Sequence, residues 1–292
     1  MNREIQDIIK KHDLHPISYQ KLKKALVINT KEKKYVVKTN TNNYDIYKYL
    51  SSRDFNYFPP NYNTRGGNYD LSLYIDDNSL NNEQKLSDLI GIIASLHKKT
   101  SFMRELDLDD IKKVYEELQD NIKKSFGYYS NLNDYIDSLI FYSPSEYLLV
   151  RNISLIYYLL EFSKKKLDDW YNRIKESKSI RNSLIHNNID LDHLLINNGY
   201  YLVSWDKAMF STPVDDLVDL YRKYYHQGEL DNVLSNYNSI NNLNQEEYDL
   251  LLIRLSIPDV IELTNDTYSD TKKINDLLFY LNKIYKIVKK NS

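Results

Sequence analysis

Apolar residues recur along this chain at two spacings, which divide it into a short sheet-forming stretch and a long helical one. Ile5, Ile8 and Ile9 share one face across residues 1–13, predicting a short amphipathic helix. Residues 19–30 alternate loosely around Leu22, Ala25-Leu26-Val27 and Ile28. A charged turn, Lys31-Glu32-Lys33-Lys34, precedes a second strand at Tyr35-Val36-Val37-Lys38. Residues 44–50 read as a helix, Phe58-Pro59-Pro60 ends that segment, and Arg65-Gly66-Gly67-Asn68 is a turn before a strand over 68–75. Leu89, Ile92, Ile93 and Leu96 give residues 86–98 one buried helical face. Residues 104–180 are helical in character throughout, with segments over 111–124, 132–141 and 144–172. Pro144 stands near the start of the last, where proline is tolerated. Two short apolar segments then flank a polar loop, and a turn at Asn197-Asn198-Gly199 folds the chain back as a hairpin. Residues 214–225 form a helix with Leu217, Leu220 and Tyr221 inward. Further helices are predicted over 245–255, 258–263 and 271–288.

Composition removes several classes of function. The chain has 292 residues, enough for two lobes with separate cores, and a net charge of -2 that marks neither nucleic acid nor an anionic membrane as partner. It has no cysteine, hence no disulfide, thiolate metal site or cysteine nucleophile. Met1 to Asp7 is charged and shows no secretory signal, and apolar runs such as 153–160 are too short to span a bilayer. A soluble, cytoplasmic protein is the expectation. The 28 Tyr against 8 Phe and 6 Gly fit either a genome of low G+C content or exposed tyrosines serving adhesion. Neither His12 with His15 nor His186 with His193 has a third metal ligand at suitable spacing. The acidic group Asp107, Asp109, Asp110 suits a helix N-terminus, and Lys164-Lys165-Lys166 a solvated helix face.

The polar loop carries the candidate chemistry. It reads Leu184-Ile185-His186-Asn187-Asn188-Ile189-Asp190-Leu191-Asp192-His193-Leu194-Leu195, followed by Leu202-Val203-Ser204-Trp205-Asp206. This resembles the catalytic core of the aminoglycoside phosphotransferase and choline kinase families. Their pattern is His-Gly-Asp-Leu, an Asn five residues after the Asp, and then an apolar-Asp-Trp-acidic segment. Under the resemblance His186 matches the His, and Asn187 stands at the Gly. Asn188 stands at the catalytic Asp, His193 at the metal-binding Asn and Ser204 at the metal-binding Asp. Trp205 and Asp206 match the Trp and the acidic residue, and Pro213-Val214-Asp215-Asp216-Leu217 matches a Pro-x-x-Asp-Leu segment in which Asp216 braces the loop.

The resemblance implies a two-lobe, protein-kinase-like α+β fold: a small antiparallel sheet lobe over 1–76, and a mostly helical lobe over 77–292 holding the degenerate loop at 184–206. It makes 73–77 the hinge and Lys38 the residue that would hold nucleotide phosphates. No glycine precedes Gly66, so no glycine-rich phosphate loop accompanies Lys38, and the following helix offers Asp45 rather than a Glu to pair with it. Phosphoryl transfer needs magnesium on hard oxygen ligands and a residue to orient the attacking hydroxyl. Ser204 has one neutral hydroxyl, His193 suits zinc-type ions better, and Asn188 accepts no proton near neutral pH. Frame residues are retained and chemical ones lost, so the expectation is a pseudokinase acting as a non-catalytic binding or structural protein, with no cofactor. The size of the helical block and the phrase Ser143-Pro144-Ser145-Glu146-Tyr147 resemble spore-coat kinase-like proteins of endospore-forming bacteria, which implies a protein partner among coat components. The alternative is a small-molecule phosphotransferase that uses ATP and magnesium through relocated carboxylates at Asp190, Asp192 or Asp206.

Overall fold

In chain order the elements are α1 (Arg3–Lys11), β1 (Ser18–Lys21), β2 (Leu26–Asn29), β3 (Lys34–Thr39), α2 (Tyr44–Ser52), β4 (Tyr69–Leu73), α3 (Asn82–Thr100), β5 (Phe102–Glu105), α4 (Leu108–Asp137) and α5 (Pro144–Ile174). There follow β6 (Ser179–Ile185), β7 (Leu194–Ile196), β8 (Tyr200–Leu202), β9 (Met209–Ser211), α6 (Val214–Tyr224), α7 (Leu230–Ile240), α8 (Gln245–Ser256) and α9 (Thr267–Lys290). This computed structural model describes residues 3–78, 81–264 and 266–290; Met1 and Asn2, where the first predicted helix begins, lie outside the described residues. The architecture is α+β, a small antiparallel sheet with a mostly helical remainder. Contacts group the chain into two units, Met1–Thr100 with Leu184–Phe210, and Ser101–Ser183 with Ser211–Ser292. The expected lobe boundary after residue 76 falls inside the first of these.

In the first unit, β1 to β4 form an antiparallel sheet in sequence order. Side chains alternate faces along a strand. Ile28, Val37 and Leu71 therefore share a face and pack with Ile8 of α1, walled by Leu14, Leu26, Tyr35 and Tyr69. Each such fully buried aliphatic side chain contributes roughly 1.5–3 kcal/mol. Lys38, one residue on from Val37, is turned to the opposite face. The stretch 19–30 is two strands rather than one: Leu22 N–H donates to Ala25 O at 2.8 Å, closing a turn around Lys23-Lys24. Apolar Leu22 and Ala25 hide that turn in the periodicity.

In the second unit α5 is central and packs on α4, α8 and α9. Its start is fixed by a capping box: Ser143 Oγ accepts from Glu146 N–H at 3.3 Å, and Glu146 accepts from Ser143 N–H at 2.6 Å. The phrase 143–147 is thus a helix start. Asp107 caps α4, accepting from Asp109 N–H at 2.9 Å. Three readings are corrected here. Segments 111–124 and 132–141 are one helix, because Leu118, Ile122, Ser125, Tyr129 and Ile136 form one buried stripe through Gly127. Residues 104 and 105 belong to β5, paired antiparallel with β6 through Phe102↔Asn182 and Glu105↔Ser179. Residues 258–263 are not helical: Ser125 and Tyr129 hydroxyls donate to Pro258 O at 3.0 Å and Asp259 O at 2.5 Å, and Tyr128 OH donates to Ile261 O. Carbonyls committed to α4 side chains do not close a helical ladder. Lys166 is also not a solvated lysine; with Arg173 it pairs the fully buried Asp249, at 2.9 Å from Oδ1.

Candidate functional site

β6 delivers the chain into the 186–206 loop, which is held by its own polar groups. His186 is buried, its ring edge-on to Trp205 at 4.8 Å, and its Nε2 lies 3.0 Å from Val203 O. A carbonyl only accepts, so Nε2 carries the proton. Asp190 Oδ1 accepts from Asp192 N–H at 3.0 Å, capping the short turn over 191–193. The hairpin β7–β8 pairs Leu194↔Leu202 and turns through Asn198, whose φ is 50°. Val203 N–H donates to His193 O at 2.9 Å, and Trp205 Nε1–H donates to Leu202 O at 2.8 Å, with the Trp205 ring against Phe55. Asp77 ties down the hairpin's far end, pairing with the buried Lys85 at 2.6 Å and accepting from Ile196 N–H at 3.1 Å.

This frame brings the expected chemical positions together. Asn188 Nδ2 donates to Ser204 O at 3.4 Å, and His193 Nδ1 lies 2.7 Å from Asn188 O. His193 therefore carries its proton on Nδ1, and in the neutral ring Nε2 holds the lone pair. Lys38 Nζ is 3.5 Å from Ser204 Oγ and 3.7 Å from Asp206 Oδ1. Of the three relocated carboxylates, Asp206 reaches Lys38. Asp190 is turned into the loop as a cap, and Asp192 is exposed. Asp216 is fully buried in α6, as are Leu217, Leu220 and Tyr221.

The backbone retains a specialised shape. Asn187 has φ 54° and Ser204 φ 69°. Among the described non-glycine residues at positive φ, Ser204 is the one that is neither Asn nor Asp. Asn tolerates the left-handed region, as does the Gly that the resemblance places at 187. Serine there stores of order 1–3 kcal/mol, the kind of strain that concentrates at functional sites.

Two neighbours of Lys38 escape sequence reasoning. Asp70 is its strand partner across β3–β4 and is buried. It accepts from Asn43 N–H at 2.8 Å, Asn43 Nδ2 at 2.6 Å and Asn63 Nδ2 at 2.5 Å. Burial raises its carboxyl above the ordinary range, against those hydrogen bonds and the nearby Lys38 charge. Tyr47 of α2 lies beside it; burial first, then the charges of Asp70 and Asp206, push its hydroxyl up so that it stays protonated. Asp45, the helix acid noted from the sequence, is exposed. The register Lys38↔Asp70 would have pointed to this group, but register is invisible until β4 is aligned.

Magnesium does not fit this donor set. It demands oxygen ligands, typically carboxylates, in octahedral geometry, whereas Asn188 and Ser204 offer neutral oxygens and His193 presents imidazole nitrogen. Among the described residues no group of three or more His, Asp or Glu is placed to hold a metal ion.

Sheet, helical unit and looped hairpin define a kinase-like α+β fold of the phosphotransferase type. An aminoglycoside phosphotransferase from Alicyclobacillus acidocaldarius matches it with TM-score 0.73 at 12% identity, over 98% of this chain and 95% of that one. The AMP-bound spectinomycin phosphotransferase APH(9)-Ia matches with TM-score 0.51 at 13% identity, over 96% and 98% of the two chains. A choline kinase from Streptococcus pneumoniae gives TM-score 0.48 at 17% identity over 98% and 97%. No family model matches the sequence, and no curated protein matches it significantly. The aminoglycoside phosphotransferase fold is thereby shown.

Proposed function

We propose that this chain is a pseudokinase, a protein-binding scaffold on a phosphotransferase fold. The observation that carries the reading is the mutual engagement of Asn188, His193 and Ser204, which spend amide, imidazole and backbone carbonyl on one another. His186 and Trp205 are buried beside them. The partner is a protein, and the suggestion of spore-coat components rests on the resemblance of residues 143–147. Among the described residues no helix is long and apolar enough to cross a membrane. Purified protein with ATP and magnesium should release no phosphate above background, with or without aminoglycoside or choline as acceptor. Turnover lost on mutating a loop carboxylate would end the proposal.

One observation favours a second reading. Asp206 lies 3.7 Å from Lys38, so a phosphotransferase would have its relocated carboxylate there. Turnover surviving Asn188→Ala and abolished by Asp206→Ala would establish it.

A further inference from the structure

The sheet face that carries α1 is open toward β1. Strand alternation puts Tyr19, Lys21, Leu26 and Val37 on that face, and Lys38 on the other. There an open groove of about 610 Å³ is lined by Ile5, Leu22 and Leu26 and by Lys21, Lys23 and Lys24, with no carboxylate among its lining residues. The three lysines are exposed. Residues 1–39 hold ten Lys and Arg against four Asp and Glu, a net of +6 in a chain of net -2. β1 is the end strand of its sheet, and all four of its residues are exposed. Ile17, Tyr19 and Leu22 beside it are 65%, 44% and 41% exposed.

Lysine on an edge strand guards against self-association, and an end strand is also a template for an added one. Protection alone would not retain three large apolar side chains at the same edge, and Lys23-Lys24 sit on the turn beyond the strand. We propose that this edge and groove bind an extended acidic segment of a partner protein, which adds beside β1 as a fifth strand. Main-chain hydrogen bonds along β1 hold the segment, and every second side chain falls on the α1 face. Along that one face an apolar side chain meets Ile5 and Leu22, and the next one, acidic, meets the lysines. A bilayer or a nucleic acid would use the lysines and leave the strand edge unused. The proposal rests on the reading of the chain as a protein-binding scaffold but uses neither Lys38 nor the 186–206 loop. ATP turnover would end that reading without changing peptide binding, so the two fail separately.

The test is fluorescence anisotropy on the full chain with a labelled octapeptide, Glu-Thr-Ile-Thr repeated twice, whose every second residue presents Glu and Ile in turn to one face. Saturable binding is expected, weakened roughly tenfold or more by Lys21→Glu, Lys23→Glu and Lys24→Glu together, since complementary charge sets discrimination among partners. N-methylation of alternate peptide amides should weaken it on the wild-type protein, a comparison that stands even where the triple variant fails to fold. Comparators are the Lys-for-Glu peptide, phosphatidylglycerol vesicles and oligothymidine. Absence of binding below about 1 mM, where free energies fall under about 4 kcal/mol, overturns the proposal. So does equal affinity for the basic peptide, indifference to N-methylation, or preference for vesicles or oligonucleotide.

Discussion

At the scale of single residues, Asp70 has more structural consequence than its position suggests. One carboxylate fixes the backbone at the start of α2 through Asn43, and through Asn63 it reaches the strand again, since Asn63 Oδ1 accepts from Leu71 N–H at 2.8 Å. Removing it strands buried donors, each costing about 1–3 kcal/mol. Asp70→Ala should lower unfolding free energy on that scale, and Asp70→Asn should do so too, because its NH2 would face those of Asn43 and Asn63. Chemical denaturation measures both; a neutral Asn variant would show that the donors find other acceptors. His12 supplies the pH dependence. Its Nε2 is 2.7 Å from Tyr69 OH, and burial, then the charge of Lys11, lowers its pKa below 6.5. Folding then favours the neutral ring, so its contribution is complete above the unfolded value of about 6.5 and lost as pH falls through the lowered one. The melting temperature should decline on acidification through this window, and His12→Gln should flatten that part of the profile.

At the scale of elements, the strongest periodic stretches were legible: α1, α3, α5, α6 and α9 all lie where the apolar spacing puts them. The failures have separate physical causes. α7 carries Leu230, Val233, Leu234 and Tyr237 at helical spacing, a signal present but passed over. β5 is exposed throughout and its partner is remote in sequence, so periodicity has nothing to detect. Residues 258–263 have helical spacing, yet their carbonyls are claimed by hydroxyls more than a hundred residues away. The gap left between segments 111–124 and 132–141 contains Gly127, and glycine disfavours helix by about 1 kcal/mol relative to alanine; the buried stripe of α4 outweighs that. A Cβ at Gly127 would meet no atom within 4 Å. Gly127→Ala should therefore stabilise the protein by about 0.5–1 kcal/mol, read as a higher midpoint in urea with unchanged slope. At the other end of the hairpin with α5, Ser143→Ala should cost about 1 kcal/mol by deleting the cap.

At the scale of the whole molecule, the fold was legible through the pattern of His186, Trp205 and Asp216, while the candidate chemistry lies at Asn188, His193 and Ser204, where the resemblance expects other residues. His186, Trp205 and Asp216 are all buried, and a solved structure that shares the fold is 12% identical to this chain. The rest of the site leaves no such pattern: the buried Asp70 and the half-buried Tyr47 are placed beside Lys38 only by strand register and helix docking. The decisive experiment therefore restores the loop as a unit. Asn188→Asp, His193→Asn and Ser204→Asp together supply oxygen ligands on a backbone whose left-handed turn at 204 already suits Asp. Two carboxylates added near Asp206 repel one another without a cation, so the triple variant should melt below wild type in metal-free buffer. Ser204→Asn alone, which eases the backbone without adding charge, should not. Magnesium and ATP should then recover stability in the triple variant alone: ligand at a hundred times its Kd adds about 2.7 kcal/mol, several degrees for a chain of this size. Each single reversion should give little, since one carboxylate does not complete an octahedral site. A triple variant that folds yet gains no metal-dependent shift would mean that Lys38 and its neighbours no longer leave room for a nucleotide, and that the chain retains the phosphotransferase frame purely as architecture.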